Sequence, residues 1–218
     1  MPMDSLIHSL RDITIRRISV GEMDNNVYLL TARASGAQLL IDAADDLAAI
    51  QGLLADAAAD TSATPKLALV ATTHQHWDHV RALPGLVEAT GVKTAAGTED
   101  APELPVPVDV LLDHGDVGNF DGFDVMAVHL RGHTPGSIAL VYQDPEGPAH
   151  VFSGDSLFPG GVGNTQKDPA RFAQLITDVS ERLFDVYPDD TVVHPGHGQP
   201  TTLGAERPHL EEWRARGW

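Results

Sequence analysis

Between Thr72 and His79 the chain reads TTHQHWDH, which sets His74, His76, Asp78 and His79 within six consecutive positions. Such side chains are costly to bury unless they are paired or hold a metal. Four neighbours on one short segment cannot close a site alone, because protein-bound transition ions take about four ligands arranged in three dimensions. The fold must therefore carry further donors to this segment from distant parts of the chain.

The surrounding pattern alternates β-rich and helical stretches. Segments 12–20, 26–30 and 37–42 read as strands separated by turn residues. Residues 45–60 are rich in Ala and Leu at helical spacing, with acidic residues in the first turn. KLALVAT (66–72) is a short apolar run, read as a buried strand, and the histidine cluster follows it directly. Residues 80–91 read as a short helix ended by Gly91, with Pro84 as a break inside it, and 92–96 as a weak strand. Residues 101–108 hold three prolines and read as a loop. A run of strands spans 110–142, interrupted at RGHTPGS (131–137), and HVFSGD (150–155) is a strand ending on an aspartate. The Gly-rich 159–169 reads as an exposed loop and a candidate wall of a pocket, and 170–184 as an amphipathic helix. TVVHPGHGQP (191–200) is a strand running into a turn, and 203–218 closes the chain with a helix. The expectation is one domain over residues 1–218.

The other metal-capable residues stand where predicted strands give way to loops marked by Gly or Pro. His133 is in GHTPGS, Asp155 ends VFSGD, and His197 lies in PGHG. Loops converge on such strand ends from a rigid sheet. The candidates then number seven, five His and two Asp. That is too many for one ion and suits two that share a carboxylate and a water. His74 and His76, two apart, project to one side of an extended segment, whereas Asp78 and His79 follow a bend and can face a second ion. The residues alone do not divide the set further. His8, His114, His129, His150, His194 and His209 read as ordinary surface or core residues.

Composition narrows the chemistry. There is no cysteine, which excludes disulfides, thiolate-bound zinc, iron–sulfur clusters and a thiol nucleophile. Any transition metal is held by His and carboxylate, with zinc the default and iron and manganese also suited. The formal net charge of −17, without a basic patch, argues against long nucleic acids as partners. No apolar run reaches the roughly 18 residues of a membrane helix. The start, MPMDSLIHSLRD, lacks the basic head and apolar stretch of a secretory signal. The expectation is a cytoplasmic protein acting on a small molecule; the sequence does not set its oligomeric state.

The H-x-H-x-D-H run followed by GHTPGS, SGDSLF and PGHG resembles the metallo-β-lactamase fold superfamily, over nearly the whole chain and in the expected order. The resemblance implies an α+β fold, a four-layer αββα sandwich. It implies that His74, His76 and His133 hold one divalent ion, that Asp78, His79 and His197 hold another, and that Asp155 bridges them. Asp42, ending LLID, matches a strand-end acid of the superfamily, read as hydrogen-bonding support for a ligand His or for the cluster loop rather than as a ligand. β-Lactamases proper lack a bridging aspartate at the place of Asp155, and many use a cysteine ligand. RNA-processing members usually carry additional domains or insertions.

PGHGQPTTLGAER (195–207) is similar to the ending of stand-alone glyoxalase II-like hydrolases. That likeness implies hydrolysis of a small thioester or ester by a binuclear centre, with Asp78 orienting the attacking water as well as ligating. Two departures stand out. The chain ends about twenty residues after His197, without the C-terminal helical domain that contacts glutathione in classical glyoxalase II, and Gly198 follows PGH in place of a tyrosine. These leave glutathione recognition open and name no substrate-binding residue. Two further activities share the fold. Persulfide dioxygenases use one iron, which here would sit on His74, His133 and Asp155, but they carry a GRTDF-like stretch where this chain has GVGNTQKD (161–168). Lactone hydrolysis uses the same paired ions, and in that reading Tyr187 is the residue that would assist.

Overall fold

A computed structural model describes residues 5–217. Strands β1 (Leu6–Ser9), β2 (Ile13–Val20), β3 (Asn25–Ala32), β4 (Ala37–Ile41), β5 (Lys66–Thr72), β6 (Lys93–Gly97) and β7 (Val110–Leu112) form one sheet in sequence order. The first four are antiparallel and the pairs from β4 to β7 are parallel. Parallel neighbours need crossovers. Helices α1 (Leu47–Asp56) and α2 (Leu83–Thr90) supply two of them. A second sheet holds β8 (Val117–Asn119), β9 (Asp124–His129), β10 (Ile138–Gln143) and β11 (Ala149–Gly154). A short hairpin of β12 (Leu157–Phe158) and β13 (Gly161–Val162) follows, then α3 (Pro169–Val179). Strand β14 (Val192–Pro195) returns parallel to β11, and β15 (Thr201–Thr202) forms the outer edge.

The layering follows from which side chains alternate. On β3, Tyr28 and Leu30 point into a cluster shared with Leu39, Ile41, Leu140 and Phe152, between the sheets. Val27 and Leu29, one position out of phase, pack instead with Ile50, Leu53, Leu83 and Leu86 of α1 and α2. Strand β10 divides likewise: Ile138, Leu140 and Tyr142 face the other sheet, and Ala139 and Val141 face Leu175, Ile176 and Val179 of α3. Both central strands are apolar on both faces because each sheet is covered on both sides. The order of layers is helix, sheet, sheet, helix, the αββα sandwich that the motifs imply.

Several local readings change. Pro84 does not break α2; it stands in its first turn, where a missing N–H costs no helical bond. The acidic residues before α1 precede it, and Asp46 caps it, its Oδ1 accepting from Ala49 N at 3.0 Å. The closing helix is three pieces: α4 (Leu203–Glu206), a tight turn over Arg207–His209 that contains Pro208, and α5 (Leu210–Arg216). The segment read as an exposed loop holds β13 and the buried Thr165. Strand β1, which the pattern did not suggest, adds an edge to the first sheet. Among the described residues no helix is long and apolar enough to cross a membrane.

One ion pair, buried on its aspartate side and partly exposed on its arginine side, ties α3 to the turn that carries His133. Asp178 accepts from Arg131 N at 3.0 Å and Nε at 2.8 Å with one oxygen, and from Nη2 at 2.8 Å with the other. Burial opposes its charge, but these donors outweigh that and hold its carboxyl below the usual range. Its stabilising contribution is therefore complete above the ordinary carboxylate pKa and is lost as pH falls through the depressed folded value. We expect Asp178→Ala to lower stability by about 2–3 kcal/mol in urea unfolding at neutral pH, with a smaller difference between variant and wild type in acid.

Candidate metal centre

The donors gather at the ends of β5, β11 and β14 and in the β9–β10 turn. Asp42, just past β4, organises the first group. Its φ of 59° turns the chain so that the carboxylate reaches β5. Oδ1 accepts from Thr73 N at 2.7 Å, and Oδ2 from Thr73 Oγ1 at 2.8 Å. Oδ2 also lies 2.9 Å from His79 Nδ1. Thr73 spends its hydroxyl proton on Asp42, so at 3.1 Å it accepts from His74 Nδ1. The same logic fixes two more rings: His133 Nδ1 donates to Asn164 O at 2.8 Å, and His197 Nδ1 donates to Met23 O at 2.8 Å. Four imidazoles thus have their Nδ1 atoms committed outward and their Nε2 atoms turned inward, the arrangement of a metal ligand held by its other nitrogen.

All seven predicted donors come together. Ligand atoms of His74, His76 and His133 lie within 4.8 Å of one another, as do those of Asp78, His79 and His197. Asp155 stands between the groups. Its Oδ2 is 3.6 Å from His133 Nε2 and 3.5 Å from His197 Nε2, and its Oδ1 is 3.5 Å from His79 Nε2. His197 Nε2 is 3.4 Å from Asp78 Oδ2 and 3.2 Å from His79 Nε2.

Three buried atoms in this cluster have no hydrogen-bond partner: His74 Nε2, His133 Nε2 and Asp155 Oδ1. Orphaned acceptors aimed into one space cost free energy unless a cation meets them. Burial, reinforced by neighbouring imidazoles, holds His74 well below its ordinary pKa. Burial also lowers His133, against the pull of Asp155. These rings are neutral and ligand-competent at pH 7. For His79 burial is outweighed by Asp42, Asp155 and Asp78, which raise it. For His197 burial is outweighed by Asp155, Met23 O and Asp78, which bring it to about 9. The carboxylate side of the cluster therefore attracts positive charge even from protons. His and Asp donors in two sets, joined by one carboxylate, fit two divalent ions.

Several supporting residues were not evident in the sequence. Thr73 links Asp42 to His74. Asn25 Nδ2 donates to Asp78 Oδ2 at 2.9 Å. Asp100, wholly buried, accepts from Gln75 N at 3.0 Å, Gly136 N at 2.6 Å and Thr134 Oγ1 at 2.5 Å, and so joins the H-x-H-x-D-H segment to the GHTPGS turn. Arg171 donates to the carbonyls of Gly132 and His133. Asp100, like Asp42, follows a strand, and that placement was the available signal. The Gly of PGH also has a reason: a Cβ on Gly196 would lie 2.8 Å from His79 Cε1 and closer still to Asp155 Oδ1. The segment after Phe158 supports the centre through Asn164 O and bounds a cavity of about 610 Å³ with Val162, Thr165, Lys167 and Phe172. Tyr187 packs in the cluster outside the second sheet, with Leu183 and Trp213, and not among the donors. Met23 and Trp77 are exposed, and the Phe158 ring lies 6.4 Å from that of His197.

The profile of the metallo-beta-lactamase superfamily matches residues 20–197. The chain belongs to that superfamily. It is 31% identical over 159 residues to the hydroxyacylglutathione hydrolase GloC of Haemophilus influenzae, covering 65% of this chain and 73% of that protein. It spans 62% of the length of other hydroxyacylglutathione hydrolases that it matches. Among solved structures, the TTHA1623 protein in a di-iron-bound form is 33% identical with a TM-score of 0.70, covering 88% of this chain and 96% of that one. ETHE1 from Myxococcus xanthus is 27% identical with a TM-score of 0.77, covering 92% of this chain and 84% of that one.

We expect Asp42→Ala, which frees His79 and Thr73, to weaken metal binding about 10- to 100-fold. Competition against a chromophoric chelator checks this, and retention of wild-type affinity would show that Asp42 serves the backbone alone.

Proposed function

We propose that this chain is a binuclear metal-dependent hydrolase of small thioesters or esters, of the glyoxalase II kind. The observation that carries the reading is the complete second trio, Asp78, His79 and His197, joined to the first through Asp155. A mononuclear centre needs only His74, His133 and Asp155. The di-iron form of a relative matched along 96% of its length, and the hydroxyacylglutathione hydrolases among the relatives, support the same reading.

When bound, two divalent ions supply Lewis acidity toward a carbonyl oxygen and make water acidic enough to be a nucleophile near neutral pH. The chain's own residues do the positioning. Asn25 fixes Asp78 Oδ2, and Asp78 orients the attacking water by accepting its hydrogen bond. Asp42 and Thr73 hold His79 and His74 in their tautomers. Exposed Met23 and Trp77, with Phe158, provide apolar surface near the centre for the organic parts of the substrate.

The test is thiol release from 2-hydroxyacyl glutathione thioesters and from simpler acyl thioesters, with lactones alongside, by protein of measured metal content. Turnover with about two ions per chain is expected. One iron per chain, with oxygen uptake on a persulfide and no thioester turnover, would replace this reading with the dioxygenase. Asp78→Asn with full metal content should lose most of the hydrolytic rate, about 100-fold or more. Near-wild-type turnover in that variant would remove Asp78 from its role.

A further inference from the structure

Three histidines outside the seven donors also converge. His8 lies on β1, an edge strand of the first sheet, His150 is the second residue of β11, and His194 lies on β14. Strands β11 and β14 pair in parallel, and both side chains project into the space between the sheets. Phe152 of the inter-sheet cluster, cross-strand partner of His194, stacks on it at 4.8 Å between centroids. The His8 ring stands 4.6 Å from that of His150 and 5.4 Å from that of His194. His150 and His194 are each about 1% exposed. Their rings are 9° from parallel, and His150 Nδ1 meets His194 Nε2 at 3.0 Å.

Burying polar rings among apolar residues is unfavourable unless their nitrogens are satisfied. The mutual hydrogen bond satisfies one nitrogen of each ring, His150 Nδ1 and His194 Nε2; His150 Nε2, on the far side of its ring, is buried with no partner. A Leu or Phe at these positions would fill the inter-sheet core without that cost. One ligand atom from each of the three residues lies within 4.8 Å of the others.

We propose that His8, His150 and His194 form a separate tri-histidine site for a divalent transition ion of the zinc class. In a tetrahedral site with bonds of about 2.0–2.1 Å, ligand nitrogens stand roughly 3.3 Å apart. The His150–His194 pair is already near that spacing. His8, half-buried on an edge strand, is the ring that turns to close the remaining gap, and its solvent side leaves room for water as a fourth ligand. Burial holds His8 and His194 below their ordinary values and His150 at about 4, so all three rings are neutral at pH 7. Loading an ion then expels no proton: the N–H shared by His150 and His194 moves within its own ring, and the loaded His150 carries its proton on Nε2. Three imidazoles without a carboxylate favour zinc, copper or nickel over magnesium or calcium, which take oxygen donors. The net charge of −17 favours arrival of any cation.

The test is equilibrium dialysis of the full chain against micromolar free Zn²⁺, followed by elemental analysis of wild type, His8→Ala and His150→Phe. Wild type should hold one ion per chain more than either variant. That difference does not depend on how many ions the seven-donor centre takes, so it stands apart from the proposed hydrolase. Circular dichroism verifies that the variants are folded; His8→Ala, at a half-exposed edge position, decides the matter if His150→Phe is not. Equal zinc in wild type and folded His8→Ala would overturn the proposal.

Discussion

The carboxylate of Asp42 is the fixed point from which the seven-donor centre is built. Its three acceptor contacts fall on Thr73 and His79, which flank most of the ligand run. Because Asp42 turns with a positive φ directly after β4, those contacts anchor the run to the parallel neighbour of β5 rather than to a loop. The other sheet is attached at the same place by the main chain. Ile138 N donates to Thr73 O at 2.9 Å, Asn26 N donates to Gly196 O at 2.8 Å, and Gly196 N donates to Gly154 O at 2.8 Å. Each bond joins a segment carrying a donor to another strand end. The geometry of the centre is thus set by the Asp42 carboxylate on the first sheet, by two backbone bonds that cross between the sheets, and by the Gly196–Gly154 bond that holds β14 to β11.

This rigidity has an electrostatic consequence. Five imidazoles and two carboxylates held together cannot all be satisfied by hydrogen bonds, since the Nε2 atoms face one another. His74 and His133 respond by staying neutral, and His197 by favouring its proton beside Asp155 and Asp78. A divalent ion resolves both situations, meeting lone pairs in the first trio and competing with a proton in the second. Binding at His197 is therefore coupled to proton release, whereas His74 and His133 have no proton to give up at pH 7.

The donors were legible because each is a metal-capable residue at the end of an apolar run, and periodicity finds such runs well. The two-sheet layering was not contained in periodicity. β3 and β10 are apolar on both faces, so the pattern shows buried strands without showing what covers either side. Thr73, Asn25 and Asp100 were missed for a different reason. Threonine after a strand and asparagine or aspartate in turns are common in any chain, and only the fold reveals that these reach His74, Asp78 and the GHTPGS turn. Pro84 was misplaced because a proline reads as a helix breaker unless the first turn is known to start beside it.

The two histidine groups differ in what their surroundings tolerate. The seven-donor set includes carboxylates, and a buried carboxylate must have donors close by; Asn25 and the facing imidazoles supply them at the open strand ends. His194 stands in the inter-sheet core beside Tyr28 and Phe152, with His150 against it and His8 at the edge of the group, and carboxylate-satisfying donors are scarce there. Neutral imidazole is far cheaper to bury there than an ionised carboxylate. A nitrogen-only donor set is the kind of cation site that an apolar interface between sheets can accommodate without disturbing its packing. The same chain can therefore hold oxygen-containing donors where loops meet and nitrogen donors where sheets meet.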